Sequence, residues 1–138
     1  MGNFTKVPNE LFQLYTKIPG FTGDHVLMYV ILTSYHNEKY GYAYPDQLEL
    51  KLRLNCGINK VGQLAKKLEE VGLIEYRRKY SGGNYVYYVK QPIKDPTVFY
   101  DTFPEAKAYY SEKYDNVMKR KESTSRNRGD FEDIIDWL

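Results

Sequence analysis

A chain of 138 residues with 42% hydrophobic and 28% charged side chains has the size and composition of one globular domain with appendages. No apolar run approaches the ~18 residues a membrane span needs, and Met1-Gly2-Asn3-Phe4-Thr5 carries no signal-peptide pattern. One cysteine and two histidines exclude a disulfide framework and a Cys/His zinc site, so the expectation is a cytoplasmic protein with no metal, no cofactor and no membrane contact.

The formal net charge of +2 is unevenly spread. Residues 1–100 hold 13 Lys/Arg against nine Asp/Glu, whereas residues 101–138 hold seven against nine. The body is therefore basic and the end acidic. Fifteen tyrosines against six phenylalanines and one tryptophan are the compositional oddity. A tyrosine buries a ring while keeping a hydroxyl available, which suits either a wet binding surface or a core of amphipathic aromatics.

In chain order, residues 1–21 read as an N-terminal arm ending in a helical turn, with Pro8 near a helix start and Ile18-Pro19-Gly20 as breaker. Thr22 is an N-cap candidate with Asp24 in the first turn, opening a buried helix that stops near Asn37 and places His36 near its C-terminus as a dipole-stabilised or capping residue rather than a catalytic base. Glu38 to Tyr44 is a loop. Asp46 and Glu49 fit the N-cap and N3 positions of the next helix, whose buried side is expected at Leu48, Leu52 and Leu54. After a tight turn at Asn55-Cys56-Gly57, a third helix from Ile58 to Val71 carries Val61, Leu64, Ala65, Leu68 and Val71 at helical spacing, with Gly72 as terminator. The period then shortens to two. Leu73–Lys79 and Tyr85–Lys90 are strands joined by Ser81-Gly82-Gly83-Asn84, a β-hairpin. Pro92 and Pro96 mark an exit linker, and Thr102-Phe103-Pro104-Glu105 caps a helix through Lys121. Its stripe of Phe103, Ala106, Tyr110, Tyr114, Val117 and Met118 suits either a homodimer interface or packing on its own domain. Residues 122–138 are a basic tether followed by an acidic tail.

This order is that of an α+β winged helix-turn-helix: a three-helix core over residues 22–97 with a two-stranded wing, and an added C-terminal helix over 98–121. Tyr44-Pro45-Asp46-Gln47, Leu52-Arg53-Leu54-Asn55-Cys56-Gly57, Val61, Leu68 and Glu70-Val71-Gly72-Leu73-Ile74 resemble the winged-helix domains of bacterial plasmid and phage replication initiators and related regulators. Val7-Pro8-Asn9-Glu10-Leu11-Phe12 resembles their short N-terminal segment. The resemblance implies DNA binding in replication initiation, partition or transcriptional control. One departure is Gly57, where such proteins often place Ser or Thr. Gly caps a helix acceptably but brings no side-chain oxygen, leaving backbone amides to meet a phosphate. Cys56 falls at a small apolar position of the turn and reads as core rather than nucleophile.

The residues also argue for DNA independently. Removing the apolar face of the third helix leaves Gly57, Ile58, Asn59, Lys60, Gly62, Gln63, Lys66 and Lys67 outward. Asn59 and Gln63 lie one turn apart and their amides can pair bidentately with adenine, while the lysines suit phosphate, or guanine for Lys60. Gly62 between them lowers the helix surface. In the wing, Arg77, Arg78, Lys79, Ser81, Asn84 and Tyr85 cluster at the tip, where cations can follow a backbone or enter a minor groove. The alternative is an ordinary solvated surface.

In the tail, Phe131, Ile134, Ile135 and Leu138 fall at i, i+3, i+4 and i+7, with Trp137 adjoining, and four acids fill the other side. This pattern reads as an acidic amphipathic peptide that recruits a protein partner, with intramolecular docking and competition for the basic face as rivals. A double-stranded-DNA-binding protein acting by positioning is the leading expectation; a protein-interaction module using the same surfaces is the alternative. An enzyme is not expected, because no nucleotide-binding motif, His-x-His cluster or paired carboxylates are present.

Overall fold

The computed structural model describes residues 4–78 and 84–125. In chain order these form α1 (Glu10–Gln13), a 3₁₀ turn (Tyr15–Lys17), α2 (Gly23–Ser34), β1 (His36–Asn37), β2 (Tyr42–Ala43), α3 (Gln47–Leu54), α4 (Ile58–Glu70), β3 (Ile74–Arg78), β4 (Tyr85–Val89), α5 (Pro96–Thr102) and α6 (Pro104–Ser125). The strands make one antiparallel sheet in the order β1-β2-β4-β3, with Ala43 opposite Tyr87 and Tyr76 opposite the same residue from the other side. Helices α2, α3 and α4 pack on one another and on this sheet, which is a winged helix with terminal additions.

The short-range signals act as their chemistry requires. Thr22 caps α2, and Asp46 caps α3 by accepting a hydrogen bond from the Glu49 amide at 2.8 Å. The α3–α4 turn is made by Asn55 in the left-handed region (φ 52°), so the residue that bends the chain is the asparagine. Gly57 has the ordinary extended backbone of an N-cap, φ −78° and ψ 161°. Gly72 ends the α4 segment at φ 81°.

Four expectations are corrected. Leu50, not Leu48 or Leu52, is the buried leucine of α3; Leu48 and Leu52 are 66% and 78% exposed, and Leu54 is half-buried. The segment from Glu38 to Tyr44 is not only loop, because Tyr42–Ala43 forms β2 and bridges β1 to the wing. His36 does not cap a helix: α2 ends at Ser34, and His36 pairs with Ala43 in β1. Between Pro92 and Thr102 the chain is not a plain linker. Asp95 caps α5 by accepting from the Thr97 amide at 2.9 Å, and Pro96 takes the first helical position, where its missing N–H costs nothing. Thr102 is consequently the last residue of α5, its hydroxyl donating to the Val98 carbonyl, and Pro104 opens α6.

The core runs from Leu11 to Ala106 without a break at either end of the three-helix unit. Tyr15 is its aromatic junction, with ring centroids 6.0 Å from Phe21, 5.1 Å from Phe99 and 5.9 Å from Phe103. The tyrosine surplus divides between the two uses open to it. Tyr15, Tyr29 and Tyr87 are buried with their hydroxyls satisfied by the Ile93 amide, the Lys90 carbonyl and the Gln47 side-chain amide. Burial pushes the phenols of Tyr29 and Tyr87 up to about 12. Tyr40, Tyr44, Tyr110 and Tyr114 are exposed. Cys56 is half-buried against the core.

Candidate nucleic-acid interface

Helix α4 buries Val61, Leu64, Ala65 and Leu68, the face the spacing predicts. What remains outward follows from that phase. Asn59, Gln63 and Lys66 are exposed and fall at i, i+4 and i+7, so they form one stripe along the helix. Ile58 stands at the exposed start, 45% accessible, beside the cap Gly57. A Cβ built on Gly62 would meet nothing within 4 Å, so this glycine leaves a shallow step between the two amides. The first turn of α4 is exposed from Gly57 to Asn59, and its cap brings no side-chain hydrogen bond to the helix's first amides.

The other two lysines of α4 lie on the flank of this stripe, each beside a carboxylate. The Lys60 ammonium lies 3.7 Å from the Asp24 carboxylate at the start of α2, and the Lys67 ammonium lies 3.6 Å from Glu70 with its Nζ and Cε end next to Gly20. Both sit near His25, which is buried and stacked on Phe21 at 5.1 Å. The His25 Nδ1 accepts the Thr22 backbone N–H at 3.0 Å, closing a capping box in which imidazole stands where Glu is usual. Burial first, then the charges of Lys60 and Lys67, holds His25 below its ordinary value of 6.5, which keeps the ring neutral and able to accept that bond.

In the wing, successive residues alternate between faces. The Arg77 guanidinium sits over Tyr88, 4.9 Å from the ring centroid, on one face; Arg78 sits over Tyr85 at 5.1 Å on the other. Each cation is therefore carried on an aromatic platform rather than on a free tether. Tyr85 is half-buried and Asn84 exposed. Lys79 and Ser81, expected at the tip, lie outside the described residues, as do Phe131, Ile134, Ile135, Trp137 and Leu138 of the tail. The Glu69 carboxylate accepts the Tyr76 backbone N–H at 3.2 Å and so occupies a donor on the open edge of β3.

Sequence reasoning missed Tyr88 and Asp24 as neighbours of the site. The strand alternation offers a signal for Tyr88, since it falls diagonally across the hairpin from Arg77; nothing in the linear pattern pairs Asp24 with Lys60. Among the described residues no group of three His, Cys, Asp or Glu side chains is placed to hold a metal ion, and no helix is long and apolar enough to cross a membrane.

No family model matches this chain, and no curated protein does. Among solved structures, one described as the N-terminal domain of a DNA binding protein is 24% identical over 72% of this chain and 82% of its own, with a TM-score of 0.53. A Rep–DNA complex is 23% identical over 83% and 88% with a TM-score of 0.53, and an MDR initiator 22% identical over 70% and 84% with a TM-score of 0.50. At such identities the likeness is one of fold. It establishes the class of fold: an α+β winged helix.

Proposed function

We propose that this chain is a sequence-specific double-stranded-DNA-binding protein of the plasmid or phage kind, acting by positioning and recruitment rather than by catalysis. The observation that carries the reading is the stripe of Asn59, Gln63 and Lys66, exposed along α4, in a domain whose wing also presents the Arg77 and Arg78 guanidiniums. A helix with that width and donor set fits the major groove, while the two arginines suit the flanking backbone. Of the processes open to such a protein, replication initiation is favoured over partition or transcriptional control, since two of the similar folds are an initiator and a Rep–DNA complex. Titration of random duplex DNA at two salt concentrations tests the reading, because phosphate-driven affinity falls steeply with salt.

One observation supports a second reading. Leu48 and Leu52 form an exposed apolar pair one turn apart on α3, a feature that DNA contact does not require. A protein-interaction module would use it, and absence of duplex binding at about 50 mM salt would favour that function.

A further inference from the structure

Among the described residues, no element covers the face of α6 beyond its first turn. Ala106 at its start is buried and Phe103 just before it is half-buried, so the helix is anchored to its own domain there. Farther on, Tyr110, Tyr114 and Val117 are 40%, 49% and 53% exposed. With Phe12 of α1, 55% exposed, and Met118 they line an open groove of about 780 Å³ between α6 and the N-terminal turns. Each wall carries a cation. Lys17 lies over the Tyr110 ring at 4.1 Å on the N-terminal side, and Lys113 lies on the α6 side. Among the described residues that line the groove none is acidic.

We propose that this groove is the docking site of the chain's own acidic segment, Phe131–Leu138, folded back along α6. Three observations converge on that occupant. The first is charge: residues 129–138 carry four acids and no base, and in a helical arrangement those acids flank the apolar stripe on both edges, where Lys17 and Lys113 would meet them. The second is reach. Helix α6 ends at Ser125, about 12 Å beyond Val117 along the axis at 1.5 Å per residue, and the five residues 126–130 can span up to ~17 Å, with Gly129 among them to permit reversal. The third is length. Seven helical steps from Phe131 to Leu138 cover ~10 Å, and seven steps from Val117 to Tyr110 cover the same ~10 Å of groove. A segment this short gains little from helix formation alone, so the groove supplies what its backbone cannot.

The sole tryptophan, Trp137, reports on this contact in the full-length chain. Docking is expected to give blue-shifted emission and weak acrylamide quenching, both unchanged on dilution. Val117→Asp on the exposed groove wall and Ile135→Asp on the tail should each shift the emission to the red and raise quenching several-fold, with circular dichroism showing the fold retained. Lys113→Glu should shift it partway, and added salt should erase the difference between Lys113→Glu and wild type. Red emission in the wild type, or blue emission indifferent to Val117→Asp, would overturn the assignment. So would a blue shift lost on dilution together with a sedimenting dimer, which would instead give the groove to a second copy. None of these readouts depends on DNA, so their outcome is separable from that of the DNA titration.

Discussion

The division of labour between α4 and the wing makes a quantitative prediction. Asn59→Ala with Gln63→Ala removes two exposed amides that make no hydrogen bond within the described structure, so stability should change by no more than about 0.5 kcal/mol per site. If each amide reads one adenine, each truncation costs ~1–3 kcal/mol of discrimination, roughly 5- to 150-fold between the selected and a random duplex. Phosphate contacts are untouched, so the salt slope stays where it was. Arg77→Ala with Arg78→Ala does the converse. Losing two phosphate contacts lowers the slope of log affinity against log salt by ~1.8, so the affinity ratio of wild type to variant shrinks ~12-fold between 50 and 200 mM salt. Loss of the stacks on Tyr88 and Tyr85 is to be followed separately by urea unfolding. Fluorescence anisotropy with a duplex selected from a random pool, at four salt concentrations, separates the effects. If both double variants lose discrimination and slope in the same proportion, α4 and the wing do not act as distinct readers and the argument fails.

Three further outcomes follow. Gly57→Ser places a hydroxyl at the bare N-cap of α4, where the backbone suits any residue and a Cβ meets nothing within 4 Å; stability should rise by about 0.5–1 kcal/mol, and calorimetry should show a higher Tm. Leu50→Ala should cost about 2–5 kcal/mol by denaturant unfolding, while Leu48→Ala and Leu52→Ala should each change stability by less than about 0.5 kcal/mol; equal losses would mean that α3 is rotated from the phase described. Because the folded His25 sits below 6.5, the unfolded chain takes up the proton first as pH falls. The stability this residue contributes is complete above about 6.5 and is lost progressively from there towards its lower folded value. Urea midpoints at pH 7.5 and 5.5 should therefore converge in His25→Gln, and an undiminished difference would place the titrating group elsewhere.

Much of the architecture is legible in the sequence, and the misreadings have physical causes. Helix α4 is legible because its apolar residues admit only one phase. Helix α3 is not, because Gln47-Leu48-Glu49-Leu50-Lys51-Leu52-Arg53-Leu54 repeats leucine every second residue, so opposite faces of the helix are equally apolar. Only tertiary packing chooses Leu50 and Leu54. Asp95-Pro96-Thr97 does carry an N-cap and first-turn signature, but two nearby prolines read more readily as a linker. The two-residue strands β1 and β2 are shorter than any periodicity can register. In the interface, the outward stripe of α4 follows directly from burial of its other face, whereas the capture of Lys60 by Asp24 depends on how α2 approaches α4. Lys60 keeps 43% of its side chain accessible beside Asp24, and Lys67 keeps 21% beside Glu70, so Lys66 is the α4 lysine with no ion-pair partner among the described residues.

The terminal segments bear on that surface although they lie outside the helix-turn-helix. Tyr15 from the N-terminal turn and Phe99 and Phe103 around α5 close one aromatic cluster with Phe21. Phe21 in turn stacks on His25, which completes the cap of α2 beside Asp24. From Asp24 the chain of contacts passes to Lys60, and from Gly20 to Lys67, so the segments around residues 15–21 and 99–103 are linked to the flank of α4 next to its exposed stripe. A reading helix must hold its amides within a few tenths of an ångström of a fixed hydrogen-bonding pattern, and rigid support behind it lowers the ordering cost of binding. The segments before and after the winged unit thus pack into one core with it, and among the described residues they place an aromatic cluster at residues 15–21 and 99–103 behind the start of α2.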